Sequence, residues 1–101
     1  MGKRIDLQKE LESILGSRNV YFQPPEGFRL KYPCIVYQRS TANTMYGDNN
    51  PYIIRKRYEV ILIDENPDSE FFDKIIAMRS CSHERHYNSE GLNHDVFYLY
   101  Y

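Results

Sequence analysis

The chain has 101 residues, 42% of them hydrophobic, which fits one compact domain and excludes a large multi-domain enzyme. Thirteen Lys and Arg against fourteen Asp and Glu leave a net charge of −1, without the basic footprint of a dedicated nucleic-acid binder. Ten Tyr and five Phe with no Trp suit strands and interfaces better than helices, and a core this small has modest stability, so association with neighbours is expected.

Leu7, Leu11, Ile14 and Leu15 recur at helical spacing between polar residues, and Gly16 is placed to stop that helix. Val20-Tyr21-Phe22-Gln23 has strand composition and ends at Pro24-Pro25, as a short edge strand would. Cys34-Ile35-Val36-Tyr37 is an apolar run of β-type residues, reached through Pro33 and leaving into Gln38-Arg39. From Ser40 to Pro51 turn formers dominate and aliphatic side chains are nearly absent, so a loop or an extended hairpin arm is expected over residues 40–51.

Tyr52 to Asp64 alternates: Tyr58, Val60 and Leu62 point one way, Arg55, Arg57 and Glu59 the other, and Ile61 and Ile63 bury the second face towards the end. Asn66-Pro67-Asp68-Ser69-Glu70 has the form of a helix start, with Asn66 as cap and Pro67 in the first helical position. Phe71, Phe72, Ile75, Ile76 and Met78 supply its buried stripe. Ser82 to Tyr87 is a polar strand or edge, Asn88 to Gly91 a turn, and Val96 to Tyr101 an aromatic strand. The order α-β-β-loop-β-α-β-β predicts a single α+β domain over residues 1–101. It pairs a mostly antiparallel sheet of four or five strands with two helices packed on one face.

Cys34 and Cys81 are too few and too unpatterned for a disulfide framework and are expected to be reduced. The N-terminus turns polar at once, and no segment approaches the ~20 apolar residues of a membrane span, so a soluble protein made in a cytoplasm is expected.

Cys81, His83, His86 and His94 invite a zinc reading, but in an extended strand side chains three apart face opposite ways, so His83 and His86 cannot converge without a bulge. No metal site is expected. His86 and His94 could be drawn as acid and base for phosphodiester cleavage, yet no spacing fixes them around a substrate and no phosphate loop or nucleophile turn is present. Arg55-Lys56-Arg57 beside Tyr52 and Tyr58 could hold a single strand of nucleic acid, although alternation separates Lys56 from the two arginines. Helix capping accounts for the acidic run from Asp64 to Glu70, which lacks the glycine and terminal glutamate of a calcium loop.

Several segments taken in order resemble one family over nearly the whole chain. They are Val20-Tyr21-Phe22-Gln23-Pro24-Pro25, Tyr32-Pro33-Cys34-Ile35-Val36-Tyr37, Tyr46-Gly47-Asp48-Asn49-Asn50-Pro51-Tyr52, Arg57-Tyr58-Glu59-Val60 through Ile63-Asp64, Asn66-Pro67-Asp68-Ser69 and Leu92-Asn93-His94-Asp95-Val96-Phe97. They resemble the head-to-tail joining, tail-terminator and tail-completion proteins of long-tailed phages and prophages. From Met78 to Tyr87 the chain follows that pattern only at Cys81 and from Arg85 to Tyr87.

The resemblance implies a virion protein, assembled in the host cytoplasm, that forms a ring at the head–tail junction, commonly a hexamer. Its partners would be further copies of itself, the tail tube and the head connector, with DNA passing through unrecognised. No catalysis, cofactor or membrane is implied. The tail-terminator role comes first; the alternatives are a head-completion (stopper or adaptor) protein on the capsid side, or a small nucleic-acid-binding module. The stretch 40–51 is the expected assembly arm, with Met45 and Tyr46 as apolar anchors and Asp48 and Asn49 bonding across the interface. The strand face carrying Arg55, Arg57 and Glu59 is the other candidate contact.

Overall fold

A computed structural model describes the backbone of residues 4–45 and 54–101 and the side chains of residues 4–40 and 56–101. The chain is an α+β domain in the order α1 (Arg4–Leu15), β1 (Val20–Phe22), β2 (Cys34–Met45), β3 (Ile54–Asp64), α2 (Phe71–Ile76), β4 (Cys81–Ser89) and β5 (Leu92–Tyr100). The five described strands form one mixed sheet, β1-β2-β3-β5-β4. The expected antiparallel arrangement holds for β2–β3, β3–β5 and β5–β4, whereas β1 runs parallel to β2. Pro24-Pro25 closes off a tight hairpin return, so residues 23–33 carry the chain back along the sheet before β2 begins.

Both helices lie on one face. Leu7, Leu11 and Leu15 of α1 and Ile75 of α2 join Ile35, Tyr37, Tyr58, Val60, Leu62, Phe97 and Leu99 in a single buried cluster. The alternation in β3 therefore runs as its sequence requires, with Tyr58, Val60 and Leu62 under the helices. Gly16 ends α1 with φ +74°, donating its N–H to Glu12 O at 2.8 Å. Among the described residues the opposite sheet face carries no helix. Cys34, Ile63 and Val96 are buried there, Val36, Ile61, Tyr98 and Tyr100 half-buried.

Of the two alternatives for residues 40–51, a loop or an extended hairpin arm, the part as far as Met45 is strand, because β3 supplies a backbone partner that composition does not reveal: Asn43 lies opposite Lys56, Thr44 opposite Arg55 and Met45 opposite Ile54. Two expectations are corrected. The helix expected from Pro67 starts at Phe71, with Glu70 as its cap residue and no side-chain cap. Asp64, Asn66 and Ser69 each accept the backbone N–H two residues on, at 3.0, 2.9 and 3.3 Å, and these local turns hold residues 64–70 out of the helix. Finally, the last strand begins at Leu92 rather than Val96. It follows a two-residue turn in which Glu90 (φ +54°) and Gly91 (φ +78°) both take the left-handed conformation that matches strand twist.

Candidate interaction surface

β1 covers only Ile35 to Tyr37 of β2, and the Gln23 side chain closes that edge by accepting the Arg39 N–H at 3.3 Å. On the other side β5 pairs with β3 from Arg57 onward, and the last contact is Tyr101 N–H to Lys56 O at 3.0 Å. Beyond that bond, Asn43, Thr44 and Met45 lie opposite Lys56, Arg55 and Ile54, so among the described residues 41–45 and 54–56 form a two-stranded ribbon leaving the end of the sheet. Met45 and Arg55 belong to this ribbon; Tyr46, Asp48 and Asn49 lie outside the described residues.

Arg57 and Glu59 sit at its root on the helix-free face, and Tyr98 of β5 brings them together. The Arg57 guanidinium lies over the Tyr98 ring, 4.3 Å from its centroid, and its Nε donates to Ser40 Oγ at 2.8 Å. The Tyr98 hydroxyl donates to Glu59 Oε2 at 3.2 Å, and Gln38 Nε2 donates to Glu59 Oε1 at 2.9 Å. Opposite charges are thus held apart by one ring on a half-buried surface. Neither Tyr98 nor Gln38 was assigned to this face from sequence; the register of β5 on β3, which pairs Tyr98 with Glu59, is the information that was missing.

Tyr58 faces the other way and is 4% exposed among core residues, so it cannot join Arg57 in a nucleic-acid platform, and Tyr52 lies outside the described residues.

The histidines are sorted by a bulge. β4 pairs His83 with Phe97 and Arg85 with Val96, leaving Glu84 as the extra residue. This meets the condition that a regular strand fails: His83 and His86, which pairs with Asp95, both face the helices. His83 packs edge-on against Phe72 and Phe97, at 5.1 and 5.3 Å between centroids. Its Nε2 lies 3.2 Å from Asp95 Oδ1, so with Asp95 ionised the Nε2–H donates. His94 is on the far face, stacked on Tyr87 at 4.6 Å, so the sheet separates the His86 and His94 pair.

A cleft of about 380 Å³ opens between the 67–73 segment and the β4–β5 pair, lined by Pro67, Asp68, Ser69, Phe72, Asp73, His86 and Asp95. Among the described residues no three His, Cys, Asp or Glu side chains are disposed to hold a metal ion. The cleft is an acid-walled slot with an aromatic side. Asp95 was not singled out from sequence, although a carboxylate immediately before the apolar and aromatic run from Val96 to Tyr101 was a visible signal.

Both cysteines are free. Burial pushes the Cys34 thiol up to about 12 and the Cys81 thiol up to about 11, which leaves both poor nucleophiles. No described helix is long and apolar enough to cross a membrane. No protein-family model matches the chain, and neither a curated protein nor a solved structure matches it.

Proposed function

We propose that the protein is a structural virion subunit that closes into a ring, commonly a hexamer, at the phage head–tail junction, in the tail-terminator (tail-completion) role. The observation that carries this reading is the ribbon of residues 41–45 and 54–56. An isolated two-stranded ribbon is marginal in water and gains stability when a neighbour covers it. The in-order resemblance of segments from Val20 to Phe97 supports the phage setting. A ring repeats one heterologous contact around its axis, so one projecting element and one receiving surface per copy suffice. The tail tube and the head connector are the flanking partners, DNA passes through the ring, and no chemistry is required of the subunit.

Imaging of particles assembled without the protein tests the role. Tails of uncontrolled length beside full heads are expected. Leaking or empty heads beside normal tails would transfer the protein to the head-completion side, and wild-type particles lacking the protein altogether would end the virion reading.

A further inference from the structure

The ribbon and the acidic cleft lie at opposite ends of β3. Lys56 is the last β3 residue touched from the β5 side, whereas Asp95 of the cleft pairs with Leu62, six residues further along, roughly 20 Å at the usual strand rise. No lysine side chain spans that distance, so a copy cannot fill its own cleft from its own ribbon.

Each end has room for a partner. In the cleft, the Asp95 side chain is 9% exposed and its Oδ1 accepts from His83 Nε2 at 3.2 Å; no described group bonds Oδ2, which is not sealed from solvent, on a residue that lines the slot. A carboxylate with one oxygen held and one open can take a further donor or a counter-charge. Asp68 and Asp73 add negative charge, while Phe72 and Pro67 offer apolar surface for the methylenes of a long cationic side chain. At the other end, Arg55 and Lys56 occupy a ribbon with no flanking strand, and Lys56 is exposed with no ion pair among the described residues. Arg57, by contrast, is already engaged by Ser40 and Tyr98.

We propose that the cleft of Asp68, Asp73 and Asp95 in one copy receives the Lys56 end of the β2–β3 ribbon from a second copy. The two halves of the contact are different surfaces at opposite ends of the subunit, so association is head to tail and continues until it closes. The inference rests on the ring reading for its closure, but the contact itself is tested without any virion.

Two neutral variants isolate the halves: Arg55→Gln with Lys56→Gln disables the ribbon, and Asp68→Asn with Asp73→Asn disables the cleft. Sedimentation velocity at low salt should show the unmodified protein associating and each variant weakened at least tenfold, with circular dichroism unchanged. Mixed together, the variants retain one working ribbon and one working cleft. The mixture should therefore yield a 1:1 dimer and nothing larger. An unmodified protein that stays monomeric at the highest concentration, variants that associate like it, or a mixture that remains monomeric would each overturn the proposal. None of those results touches the particle phenotype, which judges the ring reading separately.

Discussion

Tyr37 ties three elements together through one side chain. Its ring is fully buried against Phe22 and Tyr58, at 5.0 and 6.1 Å between centroids, and its hydroxyl donates to Gln8 Oε1 while accepting from Arg4 at 3.1 Å. Gln8 in turn donates to Glu12 at 3.0 Å and to Val20 O at 2.9 Å, so α1 is fastened to β1 as well as β2. Tyr37→Phe keeps the packing but leaves the Gln8 carbonyl unmatched, a cost of about 1–2 kcal/mol. Tyr37→Ala adds a cavity and should cost about 3–5 kcal/mol. Urea unfolding of the two variants checks both values, and equal losses would mean that the hydroxyl, not the ring, carries the residue's contribution.

At Cys34 the sign of the pH dependence follows from burial. The folded chain holds the thiol proton to about 12, whereas the thiol ordinarily ionises near 9.0 and does so in the unfolded chain. Stability is therefore level in this respect below about pH 9. It falls as pH rises from there towards 12, by up to about 1.4 kcal/mol per pH unit for one thiol. Burial shifts Tyr37 and Cys81 upward too, adding slope of the same sign. Denaturant titrations at pH 7, 9 and 10.5 should show the decline, and Cys34→Val should make it shallower; an unchanged slope in that variant would assign it to the tyrosines and Cys81.

The turn between β4 and β5 and the bulge within β4 show how single residues fix an element. Gly91 takes φ +78° with open space around it, so a methyl group there meets backbone strain and no clash. Gly91→Ala should cost about 1 kcal/mol, a fall in melting temperature of roughly 4–8 °C for a domain of this size. A fall beyond twice that would point to misregistered strands. The asymmetry in what could be foreseen follows the range of the signals. α1, β1 and the middle of β3 are written in local periodicity: Leu7, Leu11 and Leu15 every four residues, and Tyr58, Val60 and Leu62 every two.

The choice between loop and extended arm after Ser40 was left open and the late start of α2 was not legible, because the first depends on a partner strand and the second on side chains of Asp64, Asn66 and Ser69 that serve caps and turns equally well. Likewise, Arg57 and Glu59 were visible as a charged strand face. Their organiser Tyr98, and the bulge at Glu84 that turns His83 and His86 towards Asp95, exist only once β5 has found its register. The contact candidates Tyr46, Asp48 and Asn49 lie beyond the described residues, so the cleft, rather than the arm's tip, is the surface that the structure adds.

At the scale of the molecule the described core lies within the body of the sheet and its two helices. Every residue of the buried cluster falls at or before Tyr37 or at or after Tyr58, and none lies among the described side chains between them. Replacing residues 43–54 by Asn-Gly, a pair suited to a tight hairpin, should therefore leave the melting temperature within a few degrees of the unmodified protein. The same change removes the projecting strands and, with them, the part of the subunit that the proposed ring assigns to a neighbour. Complementation of particles lacking the protein should then fail although the shortened chain accumulates, folded, in the cell. Normal infectivity with the shortened protein would move the assembly contact onto the body, where the face around Arg57, Tyr98 and Glu59 is the surface left to carry it. A chain that loses its fold on shortening would show instead that the ribbon stabilises its own subunit, contrary to the separation seen in the core.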